Sequence, residues 1–178
     1  IAIIKDKGVQ KQFYADNNIP TAPFLLTDDK TTIEANVDFL PAANKLRTGG
    51  YDGKGVELLF GADDLLRAFT EPSLLEKMVN IKKEIAVLVG VGLDGTTVVY
   101  SPTEMVFDPK LNLVDYLIAP ADISAEQIKT VETIALQAVK ALQSPGLFAV
   151  ELFLSTNDEI LVNEIAPRAH NSGHQTIE

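Results

Sequence analysis

The sequence predicts an α+β fold with mixed or antiparallel sheets, and three observations carry that prediction. Strand-like apolar runs dominate the second half of the chain. The clearest helical pattern, Asp122 to Leu142, stands apart from them. Short turn signals such as LeuAspGlyThr at 93–96 join neighbouring strands directly. The chain has 178 residues, 46% of them hydrophobic and 22% charged, which suffices for a sizeable core.

Taken in order, Ile4, Val9 and Phe13 fall loosely at helical spacing over 4–18, and Asn17–Asn18 before IleProThrAlaPro is a natural stop. Residues 22–26 read as a strand. Thr27 and Asp28 are placed to cap a helix running to about Leu40. Residues 41–47 and 56–60 read as two strands joined by a glycine-rich tip, a hairpin. A short helix over 62–70 and strands over 73–79, 83–91 and 97–100 follow, the last two as a hairpin about the AspGly turn. In the 122–142 helix, Ile128, Val131, Ala135, Ala138 and Leu142 alternate steps of three and four, and Ile134 and Val139 widen the stripe. Strands at 147–154 and 159–164 close the pattern around SerThrAsnAsp. The natural division falls near 71–76, giving a small α/β lobe over 1–75 and a larger sheet lobe over 76–178.

Composition excludes several function classes. A formal net charge of −10 and a pI of about 4.6 lack the basic face of a nucleic-acid binder. No apolar run reaches the ~18–20 residues that span a bilayer. Without cysteine there is no disulfide scaffold or thiolate metal site, and a cytoplasmic location is the simplest expectation. The start, IleAlaIleIleLys, and the end, SerGlyHisGlnThrIleGlu, read as cut from a longer chain.

The last hairpin carries the most informative local pattern. With its turn centred on Asn157–Asp158, Glu151 lies opposite Glu164, where Cβ atoms of facing residues are roughly 4.5–5.5 Å apart. Like charges there destabilise unless a cation sits between them. Carboxylate oxygens suit Mg²⁺, which binds through one or two carboxylates and keeps waters or substrate phosphates. The plainer alternative is a slipped register that turns one acid to solvent. Arg168 shares an extended face with Glu164 and can clamp phosphate or carboxylate oxygens. Both histidines, His170 and His174, follow at once, around Asn171, Ser172 and Gly173. The plainer reading here is a polar surface loop. No GxSxG elbow supports a serine hydrolase.

The loop ArgThrGlyGlyTyrAspGlyLysGly, 47–55, sets Arg47 and Lys54, with Lys45 just before them, against Asp52. Glycine N–H groups can form an anion nest, and lysines supply point charges. It is no P-loop, because GxxxxGK[ST] is absent. Its plainer reading is a solvated hairpin tip.

LysLeuArgThrGlyGlyTyrAspGlyLysGly (45–55) and AsnGluIleAlaProArgAlaHisAsnSerGlyHis (163–174) together resemble the N5-carboxyaminoimidazole ribonucleotide synthetases, a family of ATP-grasp enzymes in purine biosynthesis. The likeness covers essentially the whole chain. It implies an ATP-grasp fold, without the α/β domain that precedes it and the domain that follows it in the family. It also implies ATP with Mg²⁺, bicarbonate and 5-aminoimidazole ribonucleotide as small-molecule partners, carboxyphosphate as intermediate, and a homodimeric parent. By position, Lys45 and Gly50, Tyr51, Asp52, Gly53, Lys54 and Gly55 would cover the ATP phosphates. Glu76, Lys77, Met78 and Val79 would hold adenine, largely through backbone, and Glu84 the ribose. Glu151 and Glu164 would bind Mg²⁺, with Asn163 beside them in the nucleotide site. Arg168, His170 and Asn171 would be catalytic. Tyr51, Asp52, His170, Asn171 and Ser172 would face the second substrate and bicarbonate.

Three departures stand out: Ala169 where the family usually has Pro, Val56 where a polar residue often follows the glycines, and Phe107 where some members have His. A sibling ligase using formate or glycine is the nearest competing enzyme, and HisAsnSerGlyHis argues against it. A nucleotide-binding module without independent catalysis is the alternative from another class.

Overall fold

The computed structural model describes residues 2–49, 55–108 and 113–177. Gly50, Tyr51, Asp52, Gly53 and Lys54, five of the expected phosphate-loop residues, lie outside the described residues. Two compact units are present: Ile1–Phe13 with Ala22–Val79, and Tyr14–Thr21 with Asn80–Glu178. Glu76–Val79 therefore belong to the first unit, whereas the sequence reading places them at the start of the second. Pro20 and Thr21 tie the 14–21 segment to the edge strand of the second unit: Val162 N–H donates to the Pro20 carbonyl at 2.7 Å, and Thr21 Oγ1 donates to the Val162 carbonyl at 2.7 Å.

Helix α1 (Lys7–Asp16), which lies in the first unit as far as Phe13, begins at Asp6, whose Oδ1 accepts from the Gly8 and Val9 N–H groups. Strands β1 (Phe24–Thr27), β2 (Ala42–Leu46), β3 (Val56–Leu59) and β4 (Ser73–Lys77) form an antiparallel sheet in the order β1-β4-β2-β3. One face carries Leu25, Leu75, Ala42 and Leu59, which pack with Ile33, Ala68, Phe39, Leu40 and Leu65. Ser73 Oγ on that face is bonded by Thr27 Oγ1 and Asn44 Nδ2, each at 2.8 Å, and Asn44 Oδ1 accepts from Phe69 N–H at 2.9 Å. These buried polar bonds pin the register of three strands.

The helix expected from Thr27–Asp28 to Leu40 is shorter and begins later. Asp29 is the N-cap, accepting from Thr32 N–H, α2 covers only Lys30–Glu34, and a 3₁₀ turn follows at Val37–Phe39. Thr31, Thr32, Ile33, Asn36 and Val37 are weak helix formers, so the short length follows from propensity. The segment expected to be helical at 62–70 is a 3₁₀ turn, Ala62–Arg67.

In the second unit, β5 (Ile81–Val91), β6 (Thr97–Val99), β7 (Thr103–Phe107), β8 (Val114–Ile118), β9 (Gly146–Ser155) and β10 (Ile160–Ala166) form a second sheet. Its order is β10-β9-β5-β7-β8, with β6 on β5, and every ladder is antiparallel. β7 and β8 have no counterpart in the sequence reading. α3 (Ala125–Ala141) is closed by a capping box between Ser124 and Gln127 and packs on β5, β9 and β10. Val131, Ile134, Ala135, Ala138 and Val139 of the predicted stripe are buried, while Ile128 and Leu142 at its ends are only partly so. No helix among the described residues is long and apolar enough to cross a membrane.

Candidate functional site

Glu151 does face Glu164, but through a route the sequence pattern does not contain. Leaving the turn, β10 pairs Ile160 with Leu154 and Val162 with Leu152. Continued unbroken, that register would set Asn163 against Glu151 and carry Glu164 past it. A bulge after Val162 leaves Asn163 as the extra residue and brings Glu164 opposite Glu151, Ile165 opposite Val150 and Ala166 opposite Ala149. At a bulge two residues oppose one, so Asn163 and Glu164 are both presented to Glu151.

Cross-strand partners share a face, and alternate residues along a strand do too. Glu151 lies opposite Ala86 of β5, and Glu84 opposite Phe153, so Glu84 sits on the same face as Glu151, one pair along. That face is covered beyond the acids by a 3₁₀ turn, Asn171–Thr176. Gly173 approaches Leu88 so closely that a Cβ there would meet Leu88 Cδ1 at 2.8 Å. Leu88, Ala149 and Ala166 form a small buried cluster, and Gln175 Nε2 donates to Thr103 Oγ1 at 2.9 Å.

The turn delivers His170 to the acids. His170 Nε2 lies 3.0 Å from Glu151 Oε1, Nδ1 lies 2.9 Å from Ser172 Oγ, and Ser172 N–H donates to Nδ1. Because Nδ1 accepts from that backbone N–H, the ring proton of the neutral imidazole sits on Nε2 and is donated to Glu151. Ser172, expected to face substrate, is buried and turned to His170. Arg168 and Asn171 are exposed. Among the described residues, the guanidinium of Arg168 bonds the Ala169 carbonyl at 3.0 Å and makes no ion pair.

Two facing carboxylates form a hard oxygen donor set. Among the described residues no group of three His, Asp or Glu side chains converges on one point. A facing carboxylate pair has the donor chemistry for Mg²⁺, which takes one or two protein carboxylates and completes its shell with water and phosphate. His170 presents an N–H to Glu151, so it orients that acid rather than competing as a ligand.

In the first unit, Lys45 stands near the end of β2, just before the glycine loop. Leu46 N–H donates to the Gly55 carbonyl at 2.9 Å, closing the stem, and Gly49 and Gly55 both adopt positive φ. Lys45 Nζ lies 3.2 Å from Glu76 Oε1, and Lys11 Nζ lies 2.8 Å from Glu76 Oε2. Burial pushes the Glu76 carboxyl up, but the charges of Lys45 and Lys11 outweigh it and hold the group below the usual carboxylate range. The Glu76 side chain is therefore committed to lysines, which leaves its backbone for the adenine role expected of it. Lys77 Nζ donates to the Phe39 and Leu40 carbonyls at 2.9 and 3.2 Å, and Met78 N–H to the Pro41 carbonyl at 3.3 Å.

Arg47, counted with the basic loop in the sequence reading, is bound to Asp6 by two parallel bonds, Nε to Oδ1 at 3.0 Å and Nη2 to Oδ2 at 2.8 Å. The Asp6 bond raises the Arg47 pKa. Partial burial pushes Asp6 up, and the Arg47 bond with the helix N–H groups brings it below its ordinary value. Neither Lys11 nor Asp6 is singled out by the sequence pattern. The only available signal is the AspLysGly run opening a helix, which marks Asp6 as a cap.

A model of the ATP-grasp domain matches residues 12–178. The chain belongs to the ATP-grasp domain family. This ATP-grasp chain is 36% identical over 187 residues to the chloroplastic phosphoribosylaminoimidazole carboxylase of Vigna aconitifolia, covering 100% of this chain and 32% of that protein. The carboxyaminoimidazole ribonucleotide synthase of Aspergillus clavatus complexed with ATP matches with a TM-score of 0.92 at 31% identity, over 99% of this chain and 48% of that one. The same organism's N5-carboxyaminoimidazole synthase in complex with ADP and 5-aminoimidazole ribonucleotide matches with a TM-score of 0.87 at 28% identity, over 98% and 47%. The chain spans less than half the length of each.

Proposed function

We propose that this ATP-grasp chain belongs to an ATP-dependent ligase that carboxylates 5-aminoimidazole ribonucleotide to N5-carboxyaminoimidazole ribonucleotide, with bicarbonate activated as carboxyphosphate, in de novo purine biosynthesis. The observation that carries the reading is the acid pair Glu151–Glu164 with the His170 N–H donated to Glu151. It stands in a segment whose sequence, through Arg168 to His174, resembles that family. The fungal relatives complexed with ATP, and with ADP and the aminoimidazole ribonucleotide, support the same substrates.

Phosphoryl transfer needs positioning and charge neutralisation more than covalent chemistry. Lys45, Lys54 and the N–H groups of Gly50, Gly53 and Gly55 neutralise and hold the ATP phosphates, while the backbone of Glu76, Lys77, Met78 and Val79 takes adenine and Glu84 the ribose hydroxyls. Glu151 and Glu164 would hold Mg²⁺, which would supply positive charge to the phosphoryl oxygens, and Asn163 lies beside them in the nucleotide site. Arg168, exposed and without a carboxylate partner among the described residues, stabilises charge on the transferring group. His170 and Asn171, with Tyr51 and Asp52, position bicarbonate and the aminoimidazole amine, and Ser172 acts through His170. A cytoplasmic, homodimeric parent is part of this proposal.

The partial coverage of its relatives favours one second reading: a nucleotide-binding part that does chemistry only within a longer protein. The test measures ADP release and loss of the aminoimidazole ribonucleotide, with and without bicarbonate, for this chain and for a longer parent. ADP release that follows formate or glycine instead of bicarbonate refutes the proposal. Tight ATP binding with turnover confined to the parent selects the second reading.

A further inference from the structure

Two lysines share one buried carboxylate in the first unit, and they are not equivalent. Lys11 is 4% exposed and the closer, at 2.8 Å from Glu76 Oε2. Lys45 is 14% exposed, reaches Oε1 at 3.2 Å, and stands where β2 runs out towards the glycine loop. Glu76 itself is 3% exposed and held in its ionised form. A buried carboxylate stripped of its counter-ion is strongly disfavoured. With a single lysine, that lysine could turn to another anion only by stranding Glu76.

We propose that Lys11 is the resident counter-ion of Glu76 that releases Lys45 to bind nucleotide phosphate, a role that rests on the phosphate reading of Lys45. Lys11 is then a positioning residue, because it acts on the phosphates through Glu76 and Lys45. Glu76 meets two ammoniums, so it keeps one of them when Lys45 turns to another anion. Without Lys11, Lys45 would be the remaining ammonium of this cluster on Glu76, and phosphate would have to compete with a buried carboxylate for it.

The test compares affinities for ADP and adenosine, each read by competition with a fluorescent ATP analogue. Lys11→Met should weaken ADP binding by about tenfold or more, the scale of a charge-assisted bond to phosphate, while adenosine affinity stays within about twofold. The double variant Lys11→Met/Glu76→Gln should recover the ADP affinity lost by Lys11→Met, because no carboxylate then holds Lys45. A scaffold role predicts the opposite, a double variant weaker than either single one. Glu76→Gln alone should bind ADP more tightly than the wild type, and this variant decides the matter even where Lys11→Met does not fold. Loss of ADP affinity in Glu76→Gln, with or without loss of adenosine affinity, overturns the proposal. Lys45→Met separates the two levels. An unchanged ADP-to-adenosine ratio there removes the phosphate reading and this proposal with it. A large Lys45→Met effect beside no Lys11→Met effect removes this proposal alone.

Discussion

Asp6 holds the start of α1 and the stem of the glycine loop with one carboxylate, so its removal should cost stability in two separable parts. Asp6→Ala deletes the N-cap to the Gly8 and Val9 N–H groups at 2.8 and 3.0 Å, worth about 1 kcal/mol. It also deletes the paired bonds to Arg47, whose side chain is one-quarter exposed. Charge-assisted bonds contribute ~1.5–3 kcal/mol when shielded, and partial exposure lowers that to ~1–2 kcal/mol. The expected total is ~2–3 kcal/mol, or a fall in Tm of ~4–12 °C for a chain of this size.

Asp6→Asn separates the parts, because Asn caps as well as Asp but has no charge for Arg47. It should lose only the second part, ~1–2 kcal/mol. Its deficit should vanish in an Arg47→Met background. The pH dependence follows from the lowered carboxyl. A group depressed below its unfolded value of 3.8 stabilises the fold at pH above that value and loses the contribution as pH falls through its folded pKa. The gap between wild type and Asp6→Asn should therefore close in acid. Urea unfolding of the wild type, Asp6→Ala, Asp6→Asn, Arg47→Met and the Asp6→Asn/Arg47→Met double variant at neutral and acid pH is the assay. A gap that persists undiminished in strong acid, or an Asp6→Ala loss below ~0.5 kcal/mol, the spread of ordinary surface substitutions, would refute the reasoning.

Two further outcomes bear on the acid pair and its neighbours. Glu164→Gln should abolish the Mg²⁺ dependence of ATP affinity, read by calorimetry with and without the metal, while the fold is kept or slightly stabilised by loss of the facing charge; an unchanged dependence rules out a shared ion. In a longer parent, His170→Ala should lower carboxylation ~10²–10⁴-fold, the worth of one oriented catalytic group, and lower ATP affinity far less. Equal losses of both would make His170 a support for Glu151 only.

What the sequence by itself determined is what short-range periodicity and turn chemistry can express. The α3 stripe is legible because Val131, Ala135 and Ala138 repeat at the helical period on one element. The β5–β6 hairpin is legible because its turn is contained in the AspGly pair, and the acid pair because β9 and β10 are joined by one short turn. Even there, the bulge at Asn163 escaped the pattern, since an extra residue in a ladder depends on what the strand packs against. β7 and β8 escaped as well: their short segments become strands by pairing with β5 and with each other, not by their own pattern.

Tertiary structure alone decided which charges meet. Lys45 and Glu76 are 31 positions apart, and Arg47 and Asp6 are 41 apart. No local rule joins them. The β2–β4 ladder brings Glu76 beside Ala43, within reach of Lys45 two residues on, and the start of α1 sets Asp6 against Arg47. The partner of a charge is chosen by burial, because only where water is excluded does an ionised group require one particular counter-ion. So the basic composition around the glycine loop was readable from the chain. That Arg47 is taken by Asp6, and that Lys45 shares a buried carboxylate with Lys11, belongs to the fold.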